Sequence, residues 1–235
     1  MKKSVLFFAA AILLGFGLQS CDKDNNNGGG NGGNTQKVQW VDLGLPSGLL
    51  WADRNLGAEK PEDYGNYYAW GETSPKEVYD WNTYAYGNYN ALTKYCSDYN
   101  CGLNYFTDNL TTLEASDDAA TVNIGGGARM PSDAEWQELL DNTISTWTTR
   151  NGVYGRLMTA SNGKSIFLPA ASWCEGSNPY NVGESGFYWS STLDTYPNNA
   201  LCLDFDQDDQ YLSLVLSFRT RNCGCSVRAV RAKQN

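Results

Sequence analysis

The chain has 235 residues, with 26 acidic against 17 basic side chains and a formal net charge of −9 at pH 7. An acidic balance of this kind argues against nucleic acid as a partner and against electrostatic docking on anionic lipid. It has no histidine, which excludes the usual zinc constellations and any His-based catalytic triad.

At the amino end, Lys2 and Lys3 precede an apolar run from Val5 to Phe16 that is too short and wrongly flanked for a permanent membrane span. The run leads into Leu18-Gln19-Ser20-Cys21, which resembles the lipobox of bacterial lipoproteins. That resemblance implies a signal peptide over 1–20, cleavage before Cys21, and acylation of Cys21. The competing reading is an ordinary secretion signal with an incidental cysteine, but no A-x-A-type site lies nearby. Several acyl chains hold a protein durably, since each buried methylene contributes roughly 0.8 kcal/mol.

Residues 21–36 are dominated by Asn, Gly, Asp and Lys and offer almost no apolar surface to bury, so they read as a flexible tether. Such a coil spans roughly 20 Å on average, enough to clear lipid headgroups. Cys21-Asp22-Lys23-Asp24 resembles the acidic signal that sends lipoproteins to the cell surface in Bacteroidetes; a plain polar linker is the alternative. The expected location is the outer membrane, at the cell surface, with membrane contact through the lipid alone.

Residues 37–235 are enough for one well-cored domain. Val38 to Leu43 reads as a first strand, and Leu49 to Ala52 as a second after the turn Pro46-Ser47-Gly48. Residues 61–109 are loop-rich and crowded with Tyr and Trp, whose ring area substitutes for regular structure in a core. Ser116 to Val122 reads as a short helix with an N-cap serine. Ser132-Asp133-Ala134-Glu135 is a capping box, followed by Trp136, Leu139 and Leu140 on one helical face of about ten residues. Ser165 to Pro169 and Gly186 to Ser191 are strand-like. Leu201, Leu203 and Phe205 alternate with Cys202, Asp204 and Asp206; Leu212 to Phe218 alternate likewise, so both segments read as half-buried strands. Ser226 to Arg231 makes a final strand. Of the seven cysteines, Cys96 and Cys101 are close enough to pair across a loop in an exported protein; the others are assigned no partner.

Several motifs in order carry a resemblance: Leu45-Pro46-Ser47-Gly48-Leu49-Leu50-Trp51-Ala52, Tyr68-Ala69-Trp70-Gly71-Glu72-Thr73, Asp117-Asp118-Ala119-Ala120, Arg129-Met130-Pro131-Ser132, Phe187-Tyr188-Trp189-Ser190-Ser191 and Ser226-Val227-Arg228. Together they resemble the major paralogous domain of Bacteroidetes lipoproteins. The stretch from Arg129 to Trp136 also resembles the helix entry of formylglycine-generating enzymes. These likenesses imply a fold class of α+β: a single C-type-lectin-like domain with few helices, short strands and long ordered loops, its two termini meeting in one sheet.

The formylglycine-enzyme likeness also implies copper held by a cysteine pair near the carboxyl end. Cys223-Gly224-Cys225 is the only tempting pair, and its spacing departs from that pattern. A glycosidase needs two carboxylates at defined separation, and nothing singles out Glu72, Asp118, Glu135, Glu175 or Glu184. The acidic cluster Asp204, Asp206, Asp208 and Asp209 suits calcium in ligand type but not in EF-hand spacing. The reading is therefore not an enzyme, with no catalytic residue, no metal and no cofactor. Instead, the carboxyl-terminal stretch carries an unusual assortment of side chains. The expected ligand-binding residues are Asp194, Tyr196, Cys202, Asp204, Asp206, Asp208, Asp209, Tyr211, Ser213, Val215, Ser217, Phe218, Arg219, Thr220, Cys223 and Cys225. Their residue types are nearly the set that Asn codons yield when changed at adenines. The arrangement resembles proteins diversified by retroelements. The expected function is a surface-displayed lipoprotein that binds a protein or a glycan, and not nucleic acid. The alternatives are an extracellular glycan-acting enzyme and a structural subunit of a surface assembly.

Overall fold

The computed structural model describes residues 38–207 and 217–234. Cys21, the signal segment and the tether lie outside the described residues, as do Asp208, Asp209, Tyr211, Ser213 and Val215.

The first two strands, β1 (Trp40–Asp42) and β2 (Leu50–Ala52), form an antiparallel pair closed by a turn in which Gly48 has φ +69° and its N–H donates to Leu45 O at 2.9 Å. A short hairpin, β3 (Gly87–Asn88) and β4 (Ala91–Leu92), sits in the aromatic loop region. Two helices follow, α1 (Ala119–Ile124) and α2 (Asp133–Asp141). Next come β5 (Thr143–Arg150), β6 (Val153–Ala160) and β7 (Ser165–Pro169) as a three-stranded sheet, then the hairpin β8 (Cys174–Glu175) and β9 (Asn178–Pro179). The third three-stranded sheet is β10 (Ser185–Leu193), β11 (Asn199–Asp206) and β12 (Phe218–Thr220). The last strand, β13 (Val230–Arg231), pairs with β2, so both ends of the described chain share one sheet.

The α+β expectation is corrected by this architecture. The described residues are mainly β, with 36% strand, 10% helix and five small antiparallel sheets. The physical reason lies in β5 and β6, which no apolar alternation announces. β5 (Thr-Ile-Ser-Thr-Trp-Thr-Thr-Arg) keeps partial exposure on both faces, so its pairing with β6 writes no period-2 pattern into the sequence.

The helices follow their local chemistry. α2 has the full capping box: Ser132 Oγ accepts from Glu135 N, and the Glu135 carboxylate accepts from Ser132 N. Its Trp136 and Leu139 are buried against β10 and β11. α1 is capped by Asp118, whose carboxylate accepts from Thr121 N at 2.9 Å, and not by Ser116. Ser116 donates to Asp117 instead.

Tryptophans fill the core. Trp51, Trp70, Trp136 and Trp189 are fully buried, and the Trp70 and Trp189 indole N–H groups donate to Ser190 O and Tyr68 O. The expectation that ring area under the loops builds the core holds for Tyr68, Trp70, Tyr79 and Tyr84, while Tyr89 is exposed. Cys96 and Cys101 stand as free thiols; the Cys96 S–H donates to Asp98 O at 3.1 Å and Cys101 Sγ accepts from Asn198 Nδ2 at 3.6 Å.

Two carboxylates tie loops to the core. Asp117 accepts from Lys94 Nζ and Tyr95 OH, both at 2.6 Å. Burial works to raise its pKa, but these donors outweigh it and hold the carboxyl below its ordinary value. Glu135 behaves alike: burial opposes ionisation, while the Arg129 guanidinium and the Ser132 N–H prevail and lower it. A carboxyl whose folded pKa is lowered contributes stability above its unfolded pKa and loses it as pH falls. The melting temperature is therefore expected to drop as pH falls from about 5 to 3. Asp117→Asn is expected to cost about 1–3 kcal/mol at pH 7 and to flatten that acid dependence, as thermal melts across pH will show.

Candidate functional site

The surface that could meet a ligand is built where the β8–β9 hairpin leans on the β10–β11–β12 sheet. Gly176, at φ +67°, turns the hairpin. Its far ends are tied together by Tyr180 N donating to Trp173 O at 2.9 Å. Its near side is docked on the carboxyl-terminal segment by two backbone bonds between Cys174 and Gly224, at 2.7 and 2.8 Å. The result holds Tyr180 flat on Trp173, with ring centroids 4.9 Å apart and planes 20° from parallel. Phe187, on β10, meets Trp173 edge-on at 4.9 Å.

Strand pairing supplies the polar half. Phe187 lies opposite Asp204 in the β10–β11 register, and Ala200 lies opposite Arg219 in the β11–β12 register. Side chains alternate across a strand, so Asp204, Cys202 and Arg219 share the face that carries Phe187. The Arg219 guanidinium carbon sits 4.1 Å from both the Trp173 and Phe187 ring centres. Ser217 Oγ donates to Asp204 Oδ2 at 3.1 Å and lies 3.6 Å from Cys202 Sγ. The site is thus a cation laid on a pair of rings, beside a hydroxyl and a carboxylate, with the outer tyrosine 45% exposed.

The expected ligand residues separate into groups. Arg219, Ser217 and Asp204 come together on this face and keep partial exposure. Phe218 points the opposite way by strand alternation and is exposed. Tyr196 stands out at the turn between β10 and β11, 72% exposed. Asp194, in that same turn, accepts from Thr195 N at 2.6 Å and from Asn199 Nδ2 at 3.4 Å, so its carboxylate shapes the turn. Asp206 is exposed at the end of β11, and Thr220 Oγ1 lies 3.2 Å from Cys223 Sγ.

Cys202, Cys223 and Cys225 are corrected as surface contacts: all three are buried. The physical reason is that β11 around Cys202 and the carboxyl-terminal segment from Arg221 to Val230 are covered by other parts of the chain. Ser226 N donates to Phe187 O, and Cys225 N to Tyr68 O, so this segment runs inside the molecule. Burial pushes the Cys202 thiol up to about 12 and raises Cys223 and Cys225 as well. Burial thus keeps these thiols protonated and away from solvent. Among the described residues, no group of three or more His, Cys, Asp or Glu is placed to hold a metal ion.

The carboxylates weighed for glycosidase chemistry are largely occupied. Glu72 accepts from Lys76 Nζ and Ala85 N, Asp118 caps α1, and Glu135 holds Arg129 and Ser132. A neighbouring cleft of about 540 Å³ is lined in part by Tyr67, Lys76, Tyr79 and Cys174. Its tyrosine hydroxyls are already committed, Tyr67 to Ala171 O and Tyr79 to Tyr67 O.

Trp173, Tyr180 and Phe187 were not among the expected site residues. The one local signal is two rings bracketing a Gly/Ser/Asn/Pro-rich turn, Trp173-Cys174-Glu175-Gly176-Ser177-Asn178-Pro179-Tyr180; the turn leaves Tyr180 exposed while Trp173 packs against the core. Compared with known proteins, the chain matches no family model, no curated protein and no solved structure.

Proposed function

We propose that this protein is a lipoprotein of Bacteroidetes type, anchored through Cys21 in the outer membrane and displayed at the cell surface, where its carboxyl-terminal face binds a ligand. Residues 37–235 form the binding domain, residues 21–36 the tether. The observation that carries the binding reading is the Trp173–Tyr180–Phe187 ring cluster with Arg219 on it. The partly exposed Trp173 and Tyr180, backed by the buried Phe187 and set beside an arginine, make a hot-spot composition, because rigid rings bury much area at little conformational cost. The acidic chain disfavours nucleic acid as the ligand. Variation of this face by retroelement mutagenesis at adenines belongs to the same proposal.

The test is to present the full-length chain in detergent micelles to glycan and protein arrays. A reproducible ligand is expected, with Tyr180→Ala weakening it about tenfold or more while the melting temperature moves little. Metabolic labelling with a radioactive fatty acid should mark the wild type and leave Cys21→Ser unmarked. Capture of no ligand by the wild type, or equal capture by wild type and Tyr180→Ala, defeats the binding site as drawn.

A further inference from the structure

Three arginines close to one another in sequence meet three different fates. Arg221 and Arg228 are fully buried, and each guanidinium is surrounded by acceptors. Arg221 donates to Tyr84 OH and to the carbonyls of Tyr95, Pro197 and Lys94. Arg228 donates to Asn55 Oδ1 and to the carbonyls of Ala52 and Phe167. Arg219 has the rings but not the acceptors. Its Nε is buried with no hydrogen-bond partner among the described residues, and it takes part in none of their ion pairs. A buried donor left without a partner is costly. A guanidinium fixed on aromatic faces presents a planar fork matched to a carboxylate.

We infer that Arg219 is the receptor for a single carboxylate on a short, otherwise neutral saccharide, another ring of which packs on Tyr180. This rests on the binding reading above and names its ligand class. The open face of Tyr180 offers a flat apolar surface to the C–H side of a pyranose, while Ser217 and Asp204 offer a hydroxyl and a carboxylate for sugar hydroxyls. The net charge of −9 repels a polyanion, so the ligand carries one acid group and not a run of them. Arg231 provides an internal comparison. It also lies on a ring, Trp40 at 4.4 Å, and its Nε also lacks a partner, but it sits in the terminal sheet, away from the Trp173–Tyr180 pair.

The experiment measures binding of the full-length chain to 3′-sialyllactose, a glucuronic-acid-terminated disaccharide, lactose and polygalacturonate. Either or both monoacidic sugars are expected to bind at least about tenfold tighter than lactose, and which one binds identifies the source of the carboxylate. Arg219→Gln should bring acidic-sugar binding down to the lactose level, while Arg231→Gln leaves it unchanged. Arg219→Lys should recover only part of it, since the fork is lost. If Arg219→Gln fails to fold, Tyr180→Ala together with the wild-type ratio of acidic to neutral sugar decides. Equal binding of 3′-sialyllactose, the disaccharide and lactose overturns the inference and leaves the binding face standing, as does capture of a protein ligand with no sugar bound. Tightest binding to polygalacturonate overturns the single-carboxylate assignment. Binding of none of the four sugars overturns the inference, and only capture of no ligand on the glycan and protein arrays as well removes the proposed function.

Discussion

Replacing Arg228 by methionine is expected to cost about 3–5 kcal/mol, enough to lower the melting temperature by roughly 10 °C or more in a domain of this size. Arg228 is fully buried, yet no carboxylate faces it within ion-pair distance among the described residues. Its charge is solvated by Asn55 Oδ1 at 2.7 and 3.1 Å, Ala52 O at 3.0 Å and Phe167 O at 2.8 Å. Those three acceptors belong to β2, the loop after it, and β7. One side chain just before β13 therefore fastens the terminal sheet to the β5–β6–β7 sheet. Burial pushes the guanidinium down to about 10, so it stays charged at neutral pH. Methionine restores the volume but strands three buried acceptors, each worth about 1–3 kcal/mol when left unpaired. Arg228→Lys keeps the charge and loses the fork, and is expected to fall between the two. Chemical denaturation of the three forms measures this; a loss under 1 kcal/mol for the methionine variant would mean that water replaces the guanidinium without penalty.

What was readable in the residues divides along the same lines as the contacts. α2 is set by neighbours in sequence: Ser132 and Glu135 cap each other, and Trp136 and Leu139 share a face. β1, β2 and β7 carry compact apolar runs and fall where those runs predict. β5 escapes because it is held by pairing with β6 and has no buried face, while β6 buries Met158 and Ala160 on a face that also carries Tyr154 and Arg156, so no apolar alternation shows. The cysteines mislead for a related reason. In β11 the residues between Leu201, Leu203 and Phe205 look like a wet face, but Cys202 is covered by Trp189 and the carboxyl-terminal segment, neither of which is near it in sequence. The ring platform is the extreme case. Trp173, Phe187 and Arg219 meet only because a hairpin docks on Gly224 and three strands, β10, β11 and β12, align in register. A sequence can announce a helix cap; it does not announce which loop will lay a tryptophan beside which arginine.

Replacing Arg221 by methionine is expected to cost a similar 3–5 kcal/mol and, unlike Arg228→Met, to disturb ligand binding as well. Arg221 is fully buried with its guanidinium 5.2 Å from both the Trp70 and Tyr84 ring centres. It donates to Tyr84 OH at 2.8 Å, to Tyr95 O and Pro197 O at 2.9 Å, and to Lys94 O at 3.0 Å. Pro197 belongs to the turn that presents Tyr196, and the Arg221 N–H donates to Asn198 O in that turn. On the other side, Arg221 directly follows β12, which carries Arg219. The same guanidinium therefore holds the loop that contains Lys94 and Tyr95, the β10–β11 turn and the end of β12. Removing it frees the two segments that frame the proposed face. Tyr84→Phe removes one acceptor from the set and the donor to Trp70 O while leaving the carbonyls in place, so it should cost about 1–3 kcal/mol. A double-mutant cycle between the two positions isolates their coupling. The distinguishing result is binding measured well below each variant's melting temperature. Arg221→Met should weaken ligand capture by a factor that Arg228→Met, equally destabilised, does not show. Equal capture by the two variants would mean that the β10–β11 turn and β12 hold their places without Arg221, and that its role is confined to the stability of the core.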